Sequence, residues 1–494
     1  MRSSISASLL LFIALAANAA PVEPARIDKA VADMLAAWQL PGVAVAVVQD
    51  DRVVFAKGFG VRELGKPDPV TADTMFQIAS TTKAFTTAAM AILVDEKKMS
   101  WDDPVRKHID YFHLSDPCAD SLVTLRDIVS HRTGLSRNDE LWDYGPWSRE
   151  EILRRIASVK LNRPFRSAYQ YQNIMFMAAG EAVSRTAGVP WNAFLKSRIF
   201  EPLGMTHTVV SEADWSRGEH AVAHHFDDVS ARFKPIPMYD YEALGPAGAM
   251  KSTVRDMAQW IRFQLNDGTV DGKRIVSAES LAETKKPQMV LPSDDSARLE
   301  NPETNINTYG MGWRVQDYRG DLMVWHSGSL NRFRTHVVLF PRQRSGFVLM
   351  SNSDRGYGLI ALRQTIADLI LAQGSRDWNA WYLNREKVVV DEESKPRRDR
   401  EAKRHRNTKP SRELAAYAGT YTNPAYGDAR IIVDKGALVL QWQRLTIPMT
   451  HFHFDTFSAF VPDEDLDEQV VFSLGADGEV NKLTVFGQEF VKKE

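Results

Sequence analysis

The stretch Phe76-Gln77-Ile78-Ala79-Ser80-Thr81-Thr82-Lys83 places a serine at the head of an apolar-periodic segment, with a lysine three residues later. Beyond Ser80, the residues Phe85, Ala88, Ala89, Ile92 and Leu93 fall on one face at helical spacing. The spacing predicts a buried helix with Ser80 in its first turn and Lys83 on the same side one turn on. A serine hydroxyl is a weak nucleophile and needs a base within hydrogen-bond reach. A lysine serves as that base when burial strips enough water from its ammonium to release a proton near neutral pH. The free N–H groups at the helix start suit an oxyanion. Ser-x-x-Lys alone is more often a capping serine followed by a solvated lysine. Here the small apolar residues after Lys83 lead its stem into a packed region.

The chain of 494 residues is long enough for two or three domains and a large core. A net charge of −2 and a pI near 6.7 give no reason to expect nucleic acid as a partner. Arg2, the apolar run Leu9 to Ala17 and the triplet Ala17-Asn18-Ala19 predict a signal peptide over residues 1–19, cleaved after Ala19 or Ala20. The expected location is therefore periplasmic or secreted. That run is short for a bilayer span and no later stretch is long enough, so stable membrane insertion is not expected. The single cysteine, Cys118, cannot form an intramolecular disulfide and lies in a turn-like stretch without evident thiol chemistry. No Cys/His cluster has metal-ligand spacing, and no metal or other cofactor is expected. His224-His225 and the pair His451 and His453 read as surface or strand histidines.

Residues Pro24 to Trp38 read as a helix, and Gly42 to Val48 with Arg52 to Gly60 as a hairpin entering a sheet. Thr124 to Leu135 reads as a short N-capped helix closed by a glycine turn. Trp147 to Ser158 and Ile174 to Ala187 are helix-like. Glu242 to Met250 is a small-residue loop, followed by Ser252 as the cap of another helix. Tyr309 to Trp313 starts a strand, and Leu322 to His326, Thr335 to Phe340 and Gly346 to Met350 follow as antiparallel strands. Ile360 to Leu371 is a last amphipathic helix. Asp391 to Arg412 is almost all charged and reads as a solvated linker or exposed helix. From Leu414 onward, short strands with aromatic residues predict a separate all-β sandwich or barrel.

Two later motifs supply what an acyl-transfer site needs. Tyr171-Gln172-Asn173 lies at a loop end before a helix. A phenol near a cation can ionise below its usual range and relay protons, and an asparagine amide can hold a substrate carbonyl or the lysine. His326-Ser327-Gly328 closes a strand and is followed by Ser329. Such a small-residue strand lets a substrate backbone lie alongside. His326 can lend positive charge or a hydrogen bond to Tyr171, and the N–H groups of Ser80 and Ser329 can form a two-donor oxyanion hole.

Together these motifs resemble those of the serine β-lactamase and penicillin-binding protein superfamily, in its class C-like branch of esterases, D-aminopeptidases and D-alanyl-D-alanine carboxypeptidases. Thr124–Leu135, Pro246-Ala247-Gly248-Ala249-Met250 with Ser252-Thr253, and Tyr309–Trp313 are similar to further segments of that branch. The resemblance spans about Ile27 to Leu371; the tail from Leu414 more loosely resembles lipocalin-like β domains fused to such hydrolases. It implies an α+β, β-lactamase/transpeptidase-like fold over 24–385: an antiparallel sheet flanked by helices plus a helical subdomain. A charged linker over 386–412 and a small barrel-like β domain over 413–494 complete the expected organisation. Carried over by motif, Ser80 is the acylated nucleophile and Lys83 its base. Tyr171 protonates the leaving group and later activates water. Asn173 positions substrate and Lys83. Ser327, Gly328 and Ser329 line the substrate.

His326 stands where β-lactamases of this branch carry lysine, which favours the esterase and peptidase members, because a neutral histidine suits a substrate carboxylate poorly. Arg332 or Arg334 is a candidate for the missing positive charge. The implied activity is hydrolysis through an acyl-enzyme of a small ester or a D-amino-acid amide or peptide. The alternatives are a β-lactamase and a non-catalytic penicillin- or peptidoglycan-binding module. The loops Asn138 to Pro146 and Pro287 to Thr308 select the acyl group. The C-terminal domain can shield the site, lend it a loop, or build a homo-oligomer.

Overall fold

A computed structural model describes residues 21–227, 230–292, 301–374, 376–461 and 466–493. The expected signal peptide lies outside the described residues, as does part of the loop 287–308.

Gly42-Val43-Ala44-Val45-Ala46-Val47-Val48-Gln49 forms a strand, β1, buried at every residue, and a strand covered on both faces alternates apolar side chains between two cores. Val43, Val45 and Val47 face one core with helix α1 (Pro24–Trp38). Ala44, Ala46 and Val48 face the other, where small side chains admit a close helix. The turn to β2 (Arg52–Gly60) is Asp50-Asp51, both at positive φ, a two-residue hairpin geometry that aspartate tolerates.

Six further strands belong to the same sheet: β3 (Met289–Val290), β4 (Asn307–Tyr309), β5 (Arg314–Tyr318), β6 (Asp321–Leu330), β7 (Phe333–Phe340) and β8 (Ser345–Ser351). They join in one antiparallel sheet of order β2-β1-β8-β7-β6-β5-β4-β3. α1 and α5 (Gly356–Leu371) cover one face. The other face carries α4 (Val254–Leu265) and the helical region, centred on α2 (Thr82–Asp95) and α3 (Asn173–Ala187). α2 is buried along nearly its whole length, and Phe85 stacks on Trp260 of α4 at 3.7 Å between ring centroids. Burying one such ring contributes about 1.5–3 kcal/mol.

The short helix Leu125–Val129 starts in a capping box between Thr124 and Asp127. The cap of α4 is Thr253, whose hydroxyl accepts from the Asp256 N–H, rather than Ser252, whose hydroxyl is engaged by Thr208. β6 runs four residues past His326 and two past the His326-Ser327-Gly328 motif, because Phe333 to Phe340 pairs with it to Leu330. Tyr309 ends β4 instead of starting a strand, and Gly310–Trp313 turns into β5.

α5 is not the last helix of the sheet domain. α6 (Trp378–Ala402) buries Trp378, Tyr382 and Arg385 at its start and continues as an exposed charged helix with Pro396 inside it. Beyond it, β9 (Gly419–Asn423), β10 (Gly427–Asp434), β11 (Ala437–Trp442), β12 (Leu445–His453), β13 (Thr456–Val461), β14 (Leu466–Leu474), β15 (Val480–Val485) and β16 (Gln488–Lys492) form a closed barrel. Pairing of Tyr421 with Lys492 joins the barrel's first strand to its last and closes it. Tyr417, Phe457 and Phe472 pack edge-on in its interior.

Candidate active site

Ser80 occupies a tight turn, Ala79–Thr81, that leads directly into α2. The turn is set by Ala79 at φ +48, an uncommon conformation for a residue with a Cβ. Two neighbours hold it: Ile78 N–H donates to Met250 O at 3.0 Å, and Thr81 Oγ1 donates to Ile78 O at 2.8 Å. Ser80 keeps part of its surface open while the residues on either side are buried.

Lys83 is fully buried one turn into α2. Its Nζ lies 3.1 Å from Ser80 Oγ, 2.8 Å from Asn173 Oδ1 and 2.8 Å from Ala247 O. All three contacts are to neutral groups, and burial, reinforced by the Arg137 guanidinium, drives its pKa well below the ordinary lysine value. A neutral amine against a serine hydroxyl is the arrangement a base requires. The Ala247 carbonyl is delivered by Pro246-Ala247-Gly248, which packs so closely on α3 that a Cβ at Gly180 would sit 2.0 Å from the Pro246 ring.

Asn173 is the first residue of α3, and Gln172 caps that helix by accepting from Ile174 N–H at 2.8 Å. This leaves Tyr171 just outside the helix, with its ring centroid 4.8 Å from Lys83 Nζ. Proximity to a cation was expected to lower the Tyr171 pKa; burial instead pushes it up, so the phenol is a proton donor at neutral pH. Arg137 lies over the same ring at 5.2 Å and pairs with Asp139. Asp139 Oδ1 accepts from Asn173 Nδ2 at 3.1 Å, which turns the amide oxygen of Asn173 toward Lys83.

His326 is buried on β6, and of the two roles the sequence left open to it, positive charge or a hydrogen bond, burial disfavours the charge. Burial, then the nearby Lys83, lowers its pKa to about 3. Its partner is not Tyr171, whose ring centroid is 6.3 Å away. The Gln172 N–H donates to His131 Nδ1 at 3.0 Å, which leaves the proton of that neutral imidazole on Nε2, 3.2 Å from the Tyr309 hydroxyl. The Tyr309 hydroxyl then donates to His326 Nε2 at 3.0 Å, and His326 Nδ1–H donates to Ser327 O at 2.7 Å. One directional chain thus joins the backbone beside Tyr171 to the backbone beside Gly328.

Gly328 explains why this strand carries a glycine. A Cβ there would lie 2.2 Å from Ile78 O, in the backbone of the serine turn. β5 pairs with β6 only as far as Trp325, whereas β7 pairs with it to Leu330. Among the described residues, no strand pairs with the other edge of His326–Leu330, and Ser327, Gly328 and Ser329 lie on that stretch. Next to it, a cavity of about 210 Å³ opens between Tyr144, Tyr239 and Tyr241 on one side and Ser329–Asn331 on the other. The barrel closes this side: Arg444 lies over the rings of Tyr144 (4.9 Å) and Tyr239 (4.4 Å).

The structure therefore brings Ser80, Lys83, Tyr171 and Asn173 together, with Ser327–Ser329 alongside and His326 linked to the Gln172 N–H through Tyr309 and His131. Arg332 pairs with Asp354 at 3.3 Å, and Arg334 Nη1 donates to Phe333 O at 3.1 Å, so both candidate cations already have partners. Sequence reasoning gave no role to His131, Arg137, Asp139 or Tyr309. His131 and Tyr309 lie in segments whose similarity to the family was legible, and that similarity was the available signal.

The Beta-lactamase family matches residues 27–370, and a family described as a domain of unknown function (DUF3471) matches residues 403–494. Unguisins hydrolase ungD' of Aspergillus campestris (strain IBT 28561) is 30% identical over 424 residues, covering 81% of this chain and 76% of that protein. Protein flp of Staphylococcus aureus (strain COL) is 23% identical over 343 residues, 67% of this chain and 64% of its own. Among solved structures, the octameric penicillin-binding protein homologue from Pyrococcus abyssi superposes with a TM-score of 0.62 at 20% identity, over 95% of this chain and 99% of that one. SurE superposes with a TM-score of 0.56 at 17% identity, with the same coverage. At these identities the structural likeness is one of fold.

Proposed function

The chain belongs to the Beta-lactamase family, and on that premise we propose that it is a serine hydrolase working through an acyl-enzyme on Ser80. The observation that carries the proposal is the buried Lys83 amine 3.1 Å from Ser80 Oγ, held by two neutral acceptors. Ser80 Oγ attacks the substrate carbonyl carbon while its proton passes to Lys83 Nζ. The N–H of Ser80, with that of Ser329, supports the resulting oxyanion. Collapse breaks the bond to the leaving group, which takes the phenolic proton of Tyr171; the proton on Lys83 then restores the phenol. Water repeats the cycle on the acyl-enzyme and releases the acid.

The substrate class proposed is a small ester or a D-amino-acid amide or peptide. It lies along the unpaired edge of His326–Leu330, with its acyl group toward the aromatic cavity. A neutral His326 favours such substrates over β-lactams, whose carboxylate a lysine would serve better. The name of the fungal relative, a hydrolase of unguisins, agrees with hydrolysis as the reaction class. Secretion after removal of residues 1–19 is part of the proposal.

The test is intact-protein mass after separate reaction with a fluorophosphonate and with a penicillin, followed by peptide mapping. A fluorophosphonate adduct on Ser80 without a penicillin adduct supports an esterase or D-aminopeptidase. Adducts with both support a penicillin-recognising peptidase. No adduct on Ser80 with either reagent rejects the acyl-enzyme and leaves a binding module.

A further inference from the structure

A hydroxyl of the barrel bonds the loop that carries Asp139. Tyr426 is buried in the turn between β9 and β10. Its N–H donates to Asn423 Oδ1 at 3.0 Å, and its carbonyl accepts from Trp442 Nε1 and Gln443 Nε2, both at 3.0 Å. Its backbone is thus fixed within the barrel. Its hydroxyl leaves the barrel and donates to Asn138 Oδ1 at 2.7 Å.

Asn138 is buried at φ +47, and its Nδ2 donates to Ser136 O at 2.6 Å. Asparagine tolerates the left-handed region better than most residues but does not prefer it, so its partners decide whether it stays there. The next residue is Asp139, which accepts from Asn173 Nδ2 at 3.1 Å and from Trp142 Nε1 at 2.8 Å. The amide oxygen of Asn173 holds Lys83 Nζ at 2.8 Å. Three hydrogen bonds and one peptide link connect the barrel hydroxyl to the amine beside Ser80.

We propose that Tyr426 is a positioning residue for acylation and that the C-terminal barrel is a working part of the active site, pinning Ser136–Asp139 so that Asn173 presents its oxygen to Lys83. The inference rests on the reading of Ser80 as the acylated nucleophile, and it gives a role to the domain that matches a family of unknown function.

The consequence is electrostatic as well as geometric. The charged and titratable groups around Lys83 are Arg137 and Asp139 on the pinned loop, Tyr171 before α3, His131, and His326 on β6. Burial and Arg137 favour the neutral amine, and Asp139 opposes them. A loop released from Tyr426 admits water to Lys83, restores part of the preference for the ammonium, and moves the working range of the base upward in pH.

The test uses the full chain and the rate of Ser80 labelling by a fluorophosphonate across pH. Tyr426→Phe keeps the ring and removes the hydroxyl. It is expected to label about ten- to a hundredfold more slowly at neutral pH, with the rising limb of the pH profile displaced toward alkaline pH. Asn138→Ala is expected to do the same, and the double variant to fall no further than the slower single one. If Tyr426→Phe does not fold by circular dichroism, the limb of Asn138→Ala decides. A barrel that only lends stability would lower the unfolding temperature and leave the limb in place. Wild-type labelling by Tyr426→Phe, an unmoved limb, or losses that multiply in the double variant overturns the inference alone. A wild-type chain that takes no label at Ser80 overturns the acyl-enzyme reading and this inference with it.

Discussion

The Tyr309 hydroxyl donates to Nε2 of His326 across 3.0 Å. A donor aimed at the neutral imidazole opposes its protonation, adding to burial and Lys83 in holding the pKa near 3. In the unfolded chain the same imidazole takes a proton near pH ~6.5. The folded protein binds fewer protons in that window, so stability falls as pH drops from about 6.5 toward 3.

Tyr309→Phe removes that donor and the acceptor of His131 Nε2–H. Each orphaned buried group costs about 1–3 kcal/mol, read by urea unfolding at pH 7. An imidazole NMR titration is expected to place His326 above its wild-type midpoint, and part of the acid-side loss of stability disappears.

Lys83→Met removes the base while keeping an apolar stem. Ser80 labelling is expected to fall about 10²–10⁴-fold. The folded lysine stays neutral below the unfolded value of about 10.4, so wild type loses stability as pH falls from there through the depressed folded pKa. The difference in unfolding free energy between variant and wild type therefore tilts toward the variant as pH falls, and stays flat if Lys83 is charged in the fold.

Gly328→Ala sets a methyl group against Ile78 O, where the ideal Cβ lies 2.2 Å away. β6 and the serine turn must part, and an ångström-scale displacement costs on the order of 100-fold in rate. Labelling should drop by that order with far-ultraviolet circular dichroism unchanged; labelling at the wild-type rate would show that the turn can yield.

Asp127 is fully buried, with Arg166 at 2.7 Å, the Thr124 N–H at 2.9 Å and Arg132 at 2.5 Å. Burial alone would raise its pKa; these partners outweigh it and hold the carboxyl below its usual range. Its stabilising contribution is complete above the unfolded carboxylate value of about 3.9 and is lost as pH falls through the lower folded pKa. Asp127→Ala leaves the partly buried Arg132 and the exposed Arg166 without their carboxylate and breaks the capping box with Thr124, and is expected to cost about 1–3 kcal/mol in urea unfolding at pH 7. Because Asp127 anchors the segment that carries His131, Ser80 labelling should also slow.

What was legible in the sequence is what short-range periodicity encodes. α1, the first hairpin, the serine-lysine spacing at the head of a buried helix, and Tyr171 and Asn173 at the head of α3 follow from patterns within one element. That burial raises the Tyr171 pKa was not legible, because distant strands and helices supply that burial. Tyr309 has the pattern of an ordinary strand aromatic, and only the sheet order places it between His131 and His326. Strand β6 outran its expected end because its length is decided by β7. The barrel was legible as short strands, and its closure is a property of the pairing of its first and last strands.

Tyr426 and Asn138 are 288 residues apart in the chain. A polypeptide made from its N-terminus acquires Ser80, Lys83 and the Asn138 loop long before the residue that pins that loop exists. The contact is among the slowest kinds to form, since so much chain must be closed to make it. A fragment released early therefore holds Ser80 and Lys83 without the hydroxyl that bonds the Asn138 loop. On the proposed role of Tyr426, full reactivity at Ser80 waits until the barrel has been made, and one hydrogen bond records its completion.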